Sequence, residues 1–217
     1  MNNDKLKIIA HRGFWKSKDE MNTRGAFSNA IKNNYGIETD VRDFCGELVI
    51  SHEIPRGREA LTFDEFISNY QRDCRIYNSD ITLAINIKSD GLYLEISKIL
   101  QKYHINNYFL FDMSIPDSMK YKLLNLKVFY RMSEYETLSN SIENIHGIWL
   151  DQFKSNWYNK KIINEIQDKW GNVCVVSPEL HQRPYLDCWK ILRDLKIKNK
   201  IMICTDFPDK AEEFFSE

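Results

Sequence analysis

The sequence predicts an α/β fold of the (β/α)8 type, a TIM barrel in one domain over residues 1–217, and three observations predict it. Short β-branched or apolar runs alternate with longer segments of helical period, the pattern of parallel strands joined by crossover helices. Eight of those runs read as main strands, the number that closes a barrel. At 217 residues, 43% apolar and 13% aromatic, the chain is long enough to bury one large core, and no linker, low-complexity stretch or composition shift marks a second domain.

In order, the strand-like runs are Leu6 to Ala10, Gly36 to Val41, a short extra run at Leu48 to Ile50, Ile81 to Ile87, Tyr108 to Phe111, Val128 to Tyr130, Gly147 to Leu150, Val173 to Val176 and Ile201 to Cys204. Between them, Phe63, Phe66, Ile67 and Tyr70 fall at the i, i+3, i+4, i+7 spacing of a one-faced helix. Leu92, Ile96, Ile99, Leu100 and Tyr103 do the same, as do Ile162, Ile163, Ile166 and Trp170. The stretch from Ser133 to Ile145 is the weakest unit and predicts a short or irregular helix.

Charge and cysteine content narrow the function classes. With 30 basic and 31 acidic side chains, nothing in the bulk charge favours a nucleic-acid backbone or an anionic membrane as main partner. The five cysteines (Cys45, Cys74, Cys174, Cys188, Cys204) are scattered and form no Cys-x-x-Cys pair, so reduced, mostly buried thiols are expected. Met1 to Lys7 shows no charged-then-apolar signal region, and no apolar run reaches the roughly 18 residues of a membrane span. A cytoplasmic protein without stable membrane insertion is expected.

A barrel of this type carries its chemistry at the carboxyl ends of its strands. Those ends offer His11 and Arg12, Glu38 and Asp40, Asn86 and Lys88, Asp112, Arg131, Asp151, Glu179 with His181, and Thr205 with Asp206. Glu38 and Asp40 are two apart in a strand, so both point to one face with roughly 6–7 Å between their Cα atoms. Two inward carboxylates need a cation, because an unpaired buried charge costs several kcal/mol. A hard divalent ion, Mg²⁺ or Ca²⁺, would satisfy them; the alternative is a structural salt bridge to Arg12, Arg42 or Lys88.

Asn86 and Lys88 repeat that geometry one main strand later, placing a neutral oxygen ligand and a cation on one face. Lys88 suits a phosphate, unless it is an exposed strand-end lysine. His11 and His52 each follow an apolar run and carry the side chain that titrates near neutral pH, suited to acid or base work. Either one alone also reads as a hydrogen-bonded structural histidine.

Taken in order, His11-Arg12-Gly13, Asn22-Thr23 with Ala26-Phe27 and Ala30 opening a first helix, Gly36-Ile37-Glu38-Thr39-Asp40-Val41, and Leu48-Val49-Ile50-Ser51-His52 resemble the glycerophosphodiester phosphodiesterase family, a phosphatidylinositol-phosphodiesterase-like barrel. Ile85-Asn86-Ile87-Lys88, Phe111-Asp112 and Cys204-Thr205-Asp206-Phe207-Pro208-Asp209 extend the resemblance along the chain. It implies a metal-dependent phosphodiesterase. His11 and His52 would be general acid and base, Glu38, Asp40 and Asn86 the metal positions, and Arg12 and Lys88 the phosphate contacts. The substrate would be a small-molecule or head-group phosphodiester.

The sequence also departs from that pattern. Asn86 stands where the family has a glutamate, Met21 stands where a glutamate precedes Asn22-Thr23, and Glu53 follows His52 in place of aspartate. Only Glu53 to Leu61 separate His52 from the next helix, a short form without the usual inserted subdomain, which predicts an open pocket and is similar to the phospholipase D toxins that form a cyclic phosphate. Ser177-Pro178-Glu179-Leu180-His181 replaces the seventh-strand tryptophan motif and makes His181 a candidate substrate contact; His104 and His146 read as structural. The second function class is a barrel without catalysis that binds phosphorylated ligands, since Asn86 and Met21 replace two carboxylates.

Overall fold

The structure is a computed structural model that describes residues 6–57, 60–139, 145–195 and 200–216. Its contacts divide into two compact units, Ala10–Val128 and a second made of Met1–Ile9 with Phe129–Glu217. Strand β1 (Lys7–His11) is divided between them, its last two residues belonging to the first unit.

The first unit continues with α1 (Arg24–Lys32), β2 (Gly36–Phe44), β3 (Glu47–Ile50), α2 (Phe63–Tyr77), β4 (Leu83–Ile87), α3 (Tyr93–Lys102), β5 (Tyr108–Phe111) and α4 (Ile115–Leu123). Strand β2 lies between β1 and β4. It runs parallel to β4, with Asp40 opposite Asn86, and β4 runs parallel to β5. The extra run is real: β3 folds back antiparallel on β2, pairing Ile50 with Val41. Its other edge is closed by the returning chain, through a bridge from Val49 to Thr62 and the Ile50 amide donating to the Leu61 carbonyl at 2.8 Å.

The helices start where their caps dictate. Thr23 caps α1 by accepting from the Ala26 amide, and Thr62 and Glu65 form a reciprocal capping box at the start of α2. The stripe Phe63, Phe66, Ile67 and Tyr70 is buried, with Phe66 packing on Phe27 of α1 at 4.6 Å between ring centroids. Between β1 and α1 the backbone turns through two consecutive left-handed residues, Arg12 (φ 56°) and Gly13 (φ 87°). A Cβ at Gly13 would sit 2.8 Å from the Ala26 carbonyl carbon, so this turn needs glycine.

The second unit contains β6 (Phe129–Met132), β7 (Gly147–Leu150), α5 (Lys160–Trp170), β8 (Asn172–Val176), α6 (Leu186–Arg193), β9 (Ile201–Thr205) and α7 (Pro208–Ser216). Its four strands pair in parallel in chain order. Trp189 is fully buried against Tyr185, Phe214 and Phe215. Where a short or irregular helix is expected over Ser133 to Ile145, the described part is instead a turn closed by a bridge between Ser133 and Glu136; residues 140–144 lie outside the described residues. Within it, the Glu134 carboxylate accepts the amides of Phe153, Lys154 and Ser155, fixing the turn after β7.

All five cysteines are free; Cys174, Cys188 and Cys204 are buried, Cys74 is half-buried and Cys45 is exposed. Among the described residues no helix is long and apolar enough to cross a membrane.

Candidate functional site

Polar side chains converge in the first unit around β2. Glu38 and Asp40 are each about 1% exposed, although the residues between and beside them are also buried. Strand alternation places both carboxylates on one face, and each is held by a different set of neighbours.

Asp40 receives the cations. Arg12 Nε lies 3.1 Å from Asp40 Oδ2 and Lys88 Nζ lies 3.2 Å from Oδ1. The Arg12 contact is an ion pair rather than a hydrogen bond, since Nε has no hydrogen-bond partner of acceptable geometry. The Asn22 amide donates to Asp40 Oδ2 at 2.9 Å, and Asn22 Oδ1 accepts from the Thr39 hydroxyl at 2.9 Å. Burial pushes the Asp40 carboxyl up, but Lys88, Arg12, Asn22 and His52 together hold it below the usual carboxylate range. The salt-bridge alternative therefore describes Asp40 as it stands: Arg12 and Lys88 both pair with it.

Glu38 is less well served. Its Oε2 accepts the Arg12 backbone amide at 3.2 Å and lies 3.8 Å from His11 Nε2. Burial pushes its pKa up to about 7, Asp40 adds to the shift, and His11, Lys88 and Arg12 only partly oppose it. One residue beyond β4, Lys88 is anchored by its amide to the Val41 carbonyl, while Asn86, opposite Asp40, is 7% exposed. Asn86 Oδ1 is buried and has no hydrogen-bond partner. An orphaned buried amide oxygen costs about 1–3 kcal/mol, which makes it a place where a ligand would be welcome.

These oxygens suit a hard divalent cation. Glu38, Asp40 and Asn86 Oδ1 are the donors that Mg²⁺ or Ca²⁺ takes. Among the described residues no group of three or more His, Cys, Asp and Glu side chains forms a metal cluster, so a cation here would rest on two carboxylates and one amide.

His11 ends β1 with its side chain about 15% exposed, and its carbonyl accepts from the Trp15 indole at 2.9 Å. His52 lies in the turn after β3 with its side chain 41% exposed and its Nδ1 2.8 Å from Glu53 Oε1. Its carbonyl accepts from Arg42 at 3.0 Å. The structure thus groups His11, Arg12, Glu38, Asp40, Asn86 and Lys88, and leaves His52 on a more open turn whose charge is still felt at Asp40.

His181 belongs to the second unit. It sits in a short 3-10 turn after β8, with Nε2 2.7 Å from Asp151 Oδ1 and its ring 4.7 Å from that of Phe153. Nearby, Glu179 accepts the Ser177 and Thr205 hydroxyls and the Asp206 amide, while burial raises its pKa. Both groupings are internally paired. His104 follows α3 with a left-handed backbone (φ 54°), and the His146 carbonyl accepts from the Asn172 side chain.

Asn22, which bridges Thr39 and Asp40, went unread as a site residue, although the Asn22-Thr23 pair is part of the motif that carries the sequence resemblance. Met21 also enters, its sulfur 3.8 Å from Arg12 Nη1 where a carboxylate would have made an ion pair.

No family model matches the chain, and no curated protein matches it. Solved structures do. A glycerophosphodiester phosphodiesterase from Agrobacterium tumefaciens is similar at TM-score 0.66 and 14% identity, over 97% of this chain and 99% of that one. An Oleispira antarctica phosphodiesterase, solved with the product sn-glycerol-3-phosphate, is similar at TM-score 0.68 and 15% identity, over 98% of each. A Ca²⁺-dependent phosphatidylinositol-specific phospholipase C from Streptomyces antibioticus reaches TM-score 0.64 at 7% identity, over 98% and 96%. The chain has the eight-stranded α/β barrel fold, and its structural neighbours include the enzymes its sequence resembles.

Proposed function

We propose that this chain is a metal-dependent phosphodiesterase, a single barrel domain spanning 1–217 that acts in the cytoplasm on a glycerophosphodiester-like or head-group phosphodiester. A barrel fold alone hosts many chemistries, so the proposal stands on the site. The observation that carries it is the buried Glu38–Asp40 pair, flanked by His11, Arg12 and Lys88, with an unpartnered amide oxygen from Asn86 in the adjoining register position.

In this reading Arg12 and Lys88, each about one-fifth exposed, share their charge between Asp40 and an incoming phosphate. His11 and His52 move the protons: one takes the proton from the attacking oxygen and the other returns one to the leaving oxygen. Glu38, beside His11 Nε2, holds that ring edge toward β2. A divalent cation on Glu38, Asp40 and Asn86 would supply Lewis-acid charge at a phosphate oxygen. The short segment after His52 leaves the site open to a large head group. His181, on its Asp151 partner, is the proposed further substrate contact.

The test is ³¹P NMR of the purified protein with Mg²⁺ or Ca²⁺ against glycerophosphodiesters, lysophospholipids and phosphate-linked glycans. A new metal-dependent phosphate resonance is expected, its shift separating a cyclic from an open product. His11→Ala and His52→Ala should each reduce turnover by at least roughly 10²-fold. The second reading, a barrel that binds phosphorylated ligands without cleaving them, is favoured by the neutral Asn86 and by both cations already resting on Asp40. Phosphate-ligand binding with no turnover across the panel would select it.

A further inference from the structure

Arg12 carries its side chain on a backbone that arginine rarely adopts. Its φ of 56° is left-handed, and Gly13 beside it is left-handed too. A residue with a Cβ keeps such a conformation only where its surroundings over-determine it. The turn is therefore only as exact as the contacts that hold it, and the His11 ring and the Arg12 guanidinium inherit whatever play it has.

Side chains and backbone around the turn supply the hold. The Arg12 amide donates to Glu38 Oε2 at 3.2 Å, the Arg12 carbonyl accepts the Asn22 backbone amide at 3.0 Å, and Arg12 Nε pairs with Asp40 Oδ2 at 3.1 Å. The His11 carbonyl accepts the Trp15 indole N–H at 2.9 Å. One peptide unit, His11–Arg12, is thus gripped by side chains at both ends, its N–H by Glu38 and its C=O by Trp15.

These grips differ in what becomes of them when the site fills. Glu38 and Asp40 are candidate cation ligands, and the Arg12 guanidinium is a candidate phosphate contact, so their holds on the turn are shared with the ligands. The Trp15 indole is uncharged, can only donate, and belongs to neither ligand set. Trp15 is itself firmly seated. The Phe14 amide before it donates to the Ala26 carbonyl at 2.9 Å, the Lys16 amide after it donates to Glu20 Oε2 at 2.8 Å, and Phe14 packs edge-on against Tyr35 at 5.5 Å.

We propose that Trp15 is a positioning residue whose indole N–H holds the His11–Arg12 peptide in place while cation and phosphate draw on Glu38, Asp40 and the Arg12 guanidinium. It acts through His11 and Arg12 and touches no reacting atom. The kinetic part of this assignment rests on the phosphodiesterase reading; the hold on the turn does not.

Trp15→Phe keeps a flat ring and removes the donor. Amide hydrogen exchange followed by ¹⁵N NMR on the full chain without metal should show the Arg12 amide exchanging roughly tenfold faster or more in the variant, with the amides of α2 at their wild-type rates. With Mg²⁺ and a phosphodiester that the wild type cleaves, kcat should fall roughly tenfold or more while KM changes by less than about threefold. An indole that merely fills space would leave the Arg12 amide and kcat of the folded variant at wild-type values, and that result overturns the proposal. So does a faster Arg12 amide with kcat unchanged. If Trp15→Phe fails to fold, the wild type still decides: the Trp15 indole N–H should exchange far more slowly than that of free tryptophan, and an indole exchanging freely overturns the hold. A wild type that cleaves no phosphodiester removes the phosphodiesterase reading instead, and the Arg12 amide then decides the hold by itself.

Discussion

Asn86 decides how much cation the candidate site can hold. It brings an oxygen without charge to a place already carrying two carboxylates, and that oxygen has no partner within the protein. A ligand that binds only the folded state raises stability by RT ln(1 + [L]/Kd), about 2.7 kcal/mol at a hundredfold excess over Kd. Millimolar Ca²⁺ or Mg²⁺ should therefore raise the thermal midpoint of the wild type. Asn86→Glu should melt lower without metal, having gained a third buried acid, and show the larger metal-induced rise; equal rises in the two proteins would remove Asn86 from the ligand set. That Glu38 and Asp40 share a face was legible in the sequence because strand period is fixed at two, and both meet Arg12 on that face. Their partners were not. Arg12 reaches Asp40 from a left-handed backbone position (φ 56°) and Asn22 does so from another (φ 58°), and neither conformation is written in the residue types.

Strands were easier to read than helices. The runs at Tyr108–Phe111 and Gly147–Leu150 coincide with β5 and β7, and the remaining strands differ from their runs by a few residues at the ends. Helices with a buried stripe and a polar back, such as α2 and α5, were equally plain. Helix α4 was not, because its solvent face is itself apolar and the contrast that marks a one-faced helix disappears. After β6 the described chain turns back through the bridge between Ser133 and Glu136, and from within that turn Glu134 fixes the turn after β7. Glu134 accepts three amides, and although partial burial pushes its carboxyl up, those amides outweigh it and bring the pKa down to about 2 from about 4.5. A depressed carboxyl contributes stability that is present above the unfolded value and is lost as pH falls through the folded one. The difference in urea midpoint between wild type and Glu134→Ala should hence be fully developed above about pH 5 and shrink as pH falls toward 2. A difference that stayed constant over that range would mean Glu134 acts by packing.

At the scale of the whole chain, the barrel was legible because eight apolar runs alternate with crossover segments, and that order survives where individual helices blur. The ninth run, β3, is what departs from plain alternation, and it shapes the access to His52. The chain leaves β3 toward His52 and comes back at Leu61 and Thr62 hydrogen-bonded to the strand it left. Strand pairing thus pinches the segment at its base, while Ile54 near its start is 70% exposed. Such a neck isolates whatever hangs from it: added length changes closure entropy by only about 0.6 kcal/mol per doubling and transmits little to the strands below. The position after Gly57 is therefore a graft point, where an insert of about ten Gly and Ser residues should leave the melting temperature nearly unchanged. By the same logic a folded module spliced there would ride beside His52 as a removable cover, and the barrel could exchange one specificity for another without being rebuilt.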